Sequence, residues 1–359
     1  MKRYSLKLDQ LFAALARAGY AVKGPRLKDG DIVLGDIASP ADLPAGYKDE
    51  QSPGRYRLTS GGGEYFGAVN YQPSWKELLF LQRETIWRAQ KGAGGFSAEP
   101  EKISAPKTAF LGVRPCDMAA IKIQDRVFSG GEYADARYRA RRDNVLIIAA
   151  NCTRACANCF CASMGTGPDA GDGCDIALTE TGESFVAQAG SAAGESLLKK
   201  CAAASKKQIA QADALVAAAR AAITKQLDAK NIKRLLQDNQ EHPRWKETGK
   251  RCLNCANCTM VCPTCFCSVM EDYTSLDGKQ SWRTRRADSC FTMDFSHIHG
   301  CGSVRYSAKS RYRQWMTHKL AHWHDQFGSS GCVGCGRCIT WCPVGIDITE
   351  EAAAIAGKP

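Results

Sequence analysis

The chain has 359 residues, of which 44% are hydrophobic, and this composition excludes an intrinsically disordered protein. Such a length predicts two or three domains. Nineteen cysteines in a short secreted chain would indicate a disulfide scaffold. In a chain this long we expect reduced thiols and a cytoplasmic location.

Residues 1–21 contain short apolar runs that charged residues interrupt. Leu8, Leu11, Phe12 and Leu15 recur at helical spacing, which predicts an amphipathic helix rather than the apolar part of a signal peptide. No stretch approaches the roughly 20 apolar residues of a membrane span. The sequence therefore predicts no membrane-spanning helix.

Three further elements are predicted before the next conspicuous apolar run. Residues 30–35 favour a short strand, and residues 39–57 favour a loop rich in Pro and Gly. Residues 75–91 show helical periodicity and end near Gly92, a typical C-terminal stop.

A strand–helix–strand unit is predicted in the middle of the chain. Residues 108–113 and 144–150 are compact apolar strands, and residues 118–128 between them favour a helix. This order predicts a βαβ unit with a buried, mostly parallel sheet. Its chemistry would lie at the carboxyl ends of the strands, where Cys116 and Cys152 fall.

Two cysteine runs share the spacing C-x2-C-x2-C-x3-C-P, which is typical of ferredoxins that hold two [4Fe–4S] clusters. In such a pair the fourth cysteine of each run ligates the cluster of the other run. The predicted ligands of the first cluster are Cys252, Cys255, Cys258 and Cys342. Those of the second are Cys332, Cys335, Cys338 and Cys262. Zinc fits a single C-x2-C pair, but two complete runs with Pro after each favour the clusters.

A third cysteine-rich segment follows the second predicted strand. With Cys116 it supplies enough thiolates for a third [4Fe–4S] cluster, and the first-choice ligands are Cys116, Cys152, Cys159 and Cys161. Cys156 or Asp117 is an alternative ligand, since the spacing is not a standard run. The competing interpretation is that these are buried, inert cysteines.

The remaining cysteines carry weaker signals. Cys265 and Cys267 repeat the C-F-C sequence of Cys159 and Cys161. Two interpretations are open for Cys290, Cys301, His297 and His299: a zinc site, or histidines that hydrogen-bond within a packed insertion. Cys174 and Cys201 are interpreted as structural.

These patterns divide the chain into three parts. We predict an α/β domain over residues 1–190 and a connector of two helices over residues 191–248. A dicluster ferredoxin-like domain follows over residues 249–359, with a long insertion at 268–328. The fold class is α/β in the N-terminal domain and α+β overall.

The formal net charge of +11 does not by itself indicate nucleic-acid binding. A cubane with four thiolates carries about −2, so two or three clusters lower the charge to about +5 to +7. Among sequence motifs, neither a G-x-G-x-x-G after a strand nor a P-loop is present. The chain therefore has electron carriers but no evident catalytic residues of its own.

Several phrases, one of which contains the first cysteine run, identify a family. The chain resembles the iron–sulfur beta subunit of cytoplasmic [NiFe] hydrogenases (sulfhydrogenases) and the related A subunit of anaerobic sulfite reductase. The resemblance rests on residues 110–117, 151–168, 251–263, 288–291, 297–300 and 310–313. Both cysteine runs match the family pattern, whereas Cys156 and Cys201 have no place in it.

The resemblance implies a subunit that relays electrons between two kinds of partner. One partner would be a flavin subunit that handles NAD(P)H, and the other would be the large and small subunits of a [NiFe] hydrogenase. The alternative is a sulfite reductase complex with a siroheme partner. A redox-sensing regulator that binds DNA is a third hypothesis, for which affinity should fall steeply with salt.

Overall fold

The computed structural model describes residues 2–182 and 184–357. The strands are β1 Arg3–Leu6, β2 Ala21–Lys28, β3 Asp31–Asp36, β4 Tyr47–Ser52, β5 Arg55–Ser60, β6 Arg83–Gly92, β7 Gly95–Pro100, β8 Thr108–Val113, β9 Val145–Ala150, β10 Ile176–Glu180, β11 Phe185–Ala189, β12 Ala202–Ala203, β13 Ser268–Thr274, β14 Gln280–Ala287, β15 His297–Ile298 and β16 Gly302–Ser303.

The α-helices are α1 Leu8–Arg17, α2 Lys76–Leu79, α3 Pro115–Ser129, α4 Ala136–Asp143, α5 Cys161–Met164, α6 Ala192–Leu198, α7 Lys206–Ala221, α8 Ile232–Asp238, α9 Arg244–Arg251, α10 Asn257–Met260, α11 Ala308–Thr317, α12 Trp323–Phe327, α13 Arg337–Thr340 and α14 Ile348–Ile355. Pro40–Asp42 and Asp294–Ser296 are 3-10 turns, and His318–His322 is a π-helical segment between α11 and α12. In the part of the chain that is described, no helix is both long and apolar enough to cross a membrane.

A mixed sheet forms the centre of the N-terminal part. Within the described residues its strand order is β12-β1-β11-β10-β9-β8-β2-β3. The central strands β10, β9, β8 and β2 run parallel, and the pairs outside them are antiparallel. All six residues of β8 are buried, as expected for a central strand with both faces covered. The fold is thus of the mixed α/β class that the sequence predicts.

The predicted βαβ unit is confirmed. Strand β8 has the predicted bounds, β9 begins one residue later than predicted, and α3 crosses between them. The two strands pair in parallel, with a register shift between Leu111 and Val113. Gly112 occupies this bulge with φ 90°, and a Cβ there would lie 2.7 Å from the ring of Phe66. The bulge therefore requires glycine.

The predicted helix at residues 75–91 is wrong. Only α2 is helical there, and residues 83–92 form β6 in a second, antiparallel sheet of order β13-β14-β6-β7. Tertiary pairing decides this strand, because β6 lies between β7 and β14, which comes from the distant insertion. This sheet joins the predicted N-terminal domain to the predicted insertion.

Two further expectations differ from the structure. The predicted loop at residues 39–57 contains β4, which pairs with β5 as an antiparallel hairpin. The segment 191–248 holds α6, α7 and α8 and most of α9 rather than two helices. In the second case, short polar breaks between alanine-rich helices carry little sequence signal, so adjacent helices merge in a periodicity analysis.

The C-terminal part encloses its own apolar core. Trp245, Trp315, Met316 and Leu320 from the helices around the cysteine runs are buried together with Ile339. Half-buried cysteines of both runs pack against this core. The core is small for so many helices, which suits a region that metal clusters help to hold together.

Candidate iron–sulfur centres

The two cysteine runs have the same local backbone. Asn254 and Ala256 in the first run have positive φ angles of 53° and 67°. The equivalent positions of the second run are Gly334 and Gly336, with φ angles of 63° and 81°. Each run then enters a short helix, α10 or α13, and these two helices contact each other. The sequence repeat is therefore a structural repeat.

The residues in the left-handed backbone conformation bend each loop, and as a result backbone N–H groups point toward cysteine sulfur atoms. The N–H–to–sulfur bonds run from Asn254 to Cys252 at 3.5 Å, from Gly334 to Cys332 at 3.4 Å and from Ile346 to Cys342 at 3.3 Å. Such bonds stabilise thiolate sulfur and adjust the reduction potential of a bound cluster.

The first group of cysteines surrounds one cavity. Cys252, Cys255 and Cys258 of the first run line it together with Cys342 of the second run. The rest of its wall is mostly apolar and includes Phe291, Tyr312, Trp315, Ile346 and Ile348. Burial raises the pKa of the Cys258 thiol well above its usual value. Binding of a cluster here would replace the thiol proton of Cys258 with iron.

The second group brings Cys262 of the first run to the second run. The Cys262 sulfur interacts electrostatically with the thiols of Cys332, Cys335 and Cys338. The ammonium of buried Lys319 lies 3.3 Å from the Cys262 sulfur. A hydrogen bond from the Cys265 thiol and this ammonium hold the pKa of Cys262 well below its usual value. The donor sets of both groups, thiols in dry and partly apolar surroundings, suit [4Fe–4S] clusters.

The third group lies at the carboxyl ends of β8 and β9. Cys116 is in the first turn of α3, Cys152 follows β9, and Cys161 begins α5. The Cys161 thiol interacts electrostatically with the thiols of Cys116 and Cys152, and burial raises the pKa of Cys161 to about 12. The parallel strands thus bring together residues that the sequence separates, as expected at this edge of a sheet.

Three of the candidate third-site ligands are engaged elsewhere in the structure. Cys159 forms a disulfide with Cys156, so neither is a free thiol there. Both carboxylate oxygens of Asp117 bind the guanidinium of Arg337, at 2.8 and 2.9 Å. Each side chain of this pair is 1% exposed. These contacts favour cysteine over Asp117 as an iron ligand.

The third group packs directly on the second run. The carbonyl of Gly334 accepts from the N–H of Phe160 at 2.9 Å, and a Cβ on Gly336 would lie 2.3 Å from the carbonyl oxygen of Asn158. The Sγ atom of Cys159 lies 3.7 Å from the carbonyl oxygen of Cys335. The glycines of the second run therefore let the third cysteine segment approach the second group closely.

The structure does not form the zinc site considered for the insertion. Across residues 2–182 and 184–357, no three His, Cys, Asp or Glu side chains are gathered closely enough for a single metal ion. His297, His299 and Cys301 are exposed instead. A cubane does not need such gathering, because each of its four thiolates binds a different iron.

Sequence reasoning missed Lys319 and Arg337, two buried cations beside the cysteine groups. Neither belongs to a motif that predicts burial. The signal that the sequence offers for Arg337 is its position inside the second run, between Cys335 and Cys338. Cys174 is buried and Cys201 half-buried, and both pack with the N-terminal cores.

Together, the paired runs define an iron–sulfur protein of the dicluster type. The family described as "4Fe-4S dicluster domain" matches residues 251–346. The chain is also 31% identical over 276 residues to the protein named sulfhydrogenase 2 subunit beta of Pyrococcus furiosus, covering 76% of this chain and 79% of the relative. The chain belongs to this family of sulfhydrogenase beta subunits. No solved structure matches it.

Proposed function

We propose that this chain is the electron-transfer subunit of a cytoplasmic [NiFe] hydrogenase complex. It would relay electrons between a flavin subunit that handles NAD(P)H and the large and small hydrogenase subunits. The observation that carries the proposal is the contiguity of three cysteine groups. Cys258 of the first group and Cys338 of the second line the same cavity, and Cys335 of the second packs in one apolar cluster with Cys116 of the third.

We assign two [4Fe–4S] clusters to the two interleaved groups. The ligands of the first would be Cys252, Cys255, Cys258 and Cys342. The ligands of the second would be Cys332, Cys335, Cys338 and Cys262. Each cluster would supply one-electron chemistry, and the chain itself supplies thiolates, N–H donors to sulfur and mostly apolar surroundings.

A third cluster is proposed at the carboxyl ends of β8 and β9. Cys116, Cys152 and Cys161 provide three thiolates. Two-electron reduction of the Cys156–Cys159 disulfide by a dithiol reductant would release two more thiols, one of which would be the fourth ligand. Cys159 is favoured, because its sulfur already faces the second run at Cys335. This third position would extend the path from the dicluster region to the central sheet.

The test is anaerobic purification of the tagged chain from its own host with its bound partners. The expected preparation contains nickel and flavin, and EPR of the reduced protein shows interacting [4Fe–4S] signals. Iron analysis of the isolated chain gives at least about twelve irons if the third cluster is present and about eight if only two are. Recovery with a siroheme protein and without nickel would refute the hydrogenase assignment.

Cysteine variants test the third ligand set on the isolated chain. Cys116→Ser should remove about four irons and one EPR signal. Cys201→Ser is the matched control, because it changes a cysteine that packs against the N-terminal core away from the three groups. Equal iron contents in the two variants would contradict the third site and leave the first two assignments standing.

A further inference from the structure

Three cysteines outside the groups described above meet at the base of one hairpin. Cys267 immediately precedes β13, whose first residue Ser268 pairs with Ala287, the last residue of β14. The N–H of Asp288 donates to the carbonyl of Cys267 at 2.8 Å. The chain therefore returns next to its starting point, and Cys290 arrives beside Cys267 with the two thiols within hydrogen-bonding reach.

Cys265 completes this set from two residues upstream. Cys265, Cys267 and Cys290 all line a single pocket of about 470 Å³. None of the three is fully buried, so the pocket connects them with solvent. Fixed antiparallel pairing at the hairpin base holds the three thiols in one place, although 25 positions separate Cys265 from Cys290 in the sequence.

Cationic side chains line the same pocket. Lys319 belongs to the π-helical segment, a geometry that is rare and frequent at functional sites. Its buried ammonium binds the sulfur atoms of Cys262 and Cys265 at 3.3 Å each, together with Thr264 and the Gly331 carbonyl. None of these acceptors is a carboxylate. Arg305 and His318 line the same pocket.

A buried cation without a carboxylate partner favours an anion in its neighbourhood. The Cys262 thiolate of the second group would supply one negative charge next to Lys319, and a Cys265 thiolate bound to a further cluster would supply another. A single metal ion is a poorer fit, because the three sulfurs are not gathered as one coordination sphere in the described part of the chain. Three thiolates that bind three different irons need no such gathering.

We infer that Cys265, Cys267 and Cys290 bind a further iron–sulfur cluster, separate from those assigned under the proposed function. One of its irons has no cysteine from this set and is left to a non-cysteine ligand. The site borders the second group through Cys262, which shares Lys319 with Cys265. The inferred site lies beside the open pocket, whereas the third cysteine group lies against the central sheet.

The first test uses the unaltered holoprotein, so that misfolding of a variant cannot obscure the result. The anaerobic protein is treated with iodoacetamide, and labelled cysteines are identified by mass spectrometry. Cys265, Cys267 and Cys290 should be protected at least tenfold relative to exposed Cys301, and chelation of iron should remove the protection. Labelling of Cys267 and Cys290 in the holoprotein as fast as Cys301 would overturn the inference.

The second test is iron and sulfide analysis of a double variant, Cys267→Ser/Cys290→Ser. We expect the loss of about three to four irons and of one EPR signal, with the signals of the other clusters retained. The control double variant is Cys174→Ser/Cys201→Ser, at two cysteines of the N-terminal cores. An unchanged iron content in Cys267→Ser/Cys290→Ser refutes this site, whereas the same result in Cys258→Ser refutes the first ligand assignment.

Discussion

Replacing Lys319 by Met should lower the reduction potential of the cluster proposed at the second cysteine group. The ammonium lies 3.3 Å from the Cys262 sulfur. At that distance a full charge on sulfur interacts with the ammonium by about 5 kcal/mol at an effective dielectric constant of about 20. Because an added electron spreads over the whole cluster, we expect the ammonium to favour reduction by about half of this energy. Its loss should therefore lower the one-electron reduction potential by about 100 mV.

The measurement is an EPR-monitored redox titration of the anaerobic protein. Lys319→Arg should stay closer to the unaltered potential, because it retains the charge. Lys309→Met is the control for loss of a surface charge, since Lys309 pairs with Glu241 at a partly exposed position. If Lys319→Met retains its iron and its midpoint potential is unchanged, the buried ammonium does not act on this cluster.

Three further changes test the packing around the centres. Cys258→Ser should lose about four irons and make the C-terminal helices sensitive to protease, since the cluster replaces part of an apolar core; unchanged iron would contradict the assignment. Arg337→Met leaves the Asp117 carboxylate buried and unpaired, which should cost about 3–5 kcal/mol in urea unfolding, and adding Asp117→Asn should restore part of it. Gly336→Ala should lower the unfolding midpoint more than Gly278→Ala, because both glycines have positive φ but only Gly336 meets a backbone oxygen at 2.3 Å; equal midpoints would show that the close approach is unimportant.

Elements with a strong local signal were predictable. The strand Thr108–Val113 is an unbroken apolar run and is buried along its whole length, so sequence and structure agree on its bounds. The strand Arg83–Gly92 shows the opposite case. Its alternation is weak, and it is a strand because its backbone pairs with β14, almost two hundred residues later. The hydrophobic periodicity of a short segment carries no information about a partner strand so far away in the sequence.

The same contrast between local sequence signals and long-range packing applies to the cysteine groups. The repeat spacing predicts that Cys342 joins the first run and Cys262 the second, and the structure places both there. For the third group, the strand ends predict the proximity of Cys116 and Cys152. The pairing of Cys159 with Cys156 and the contact of Asp117 with Arg337 depend on how the second run packs against this edge. Side-chain partners of that kind are set by tertiary packing alone.

The arrangement gives the second group a different role from its neighbours. Cys338 lines the same cavity as Cys258 of the first group, Cys335 packs in one apolar cluster with Cys116 of the third, and Cys262 shares Lys319 with Cys265. A cluster at the second group would therefore lie beside every other proposed position. Because electron transfer weakens with distance, loss of this cluster would separate the remaining ones, whereas loss of any other would remove one branch and leave the rest connected.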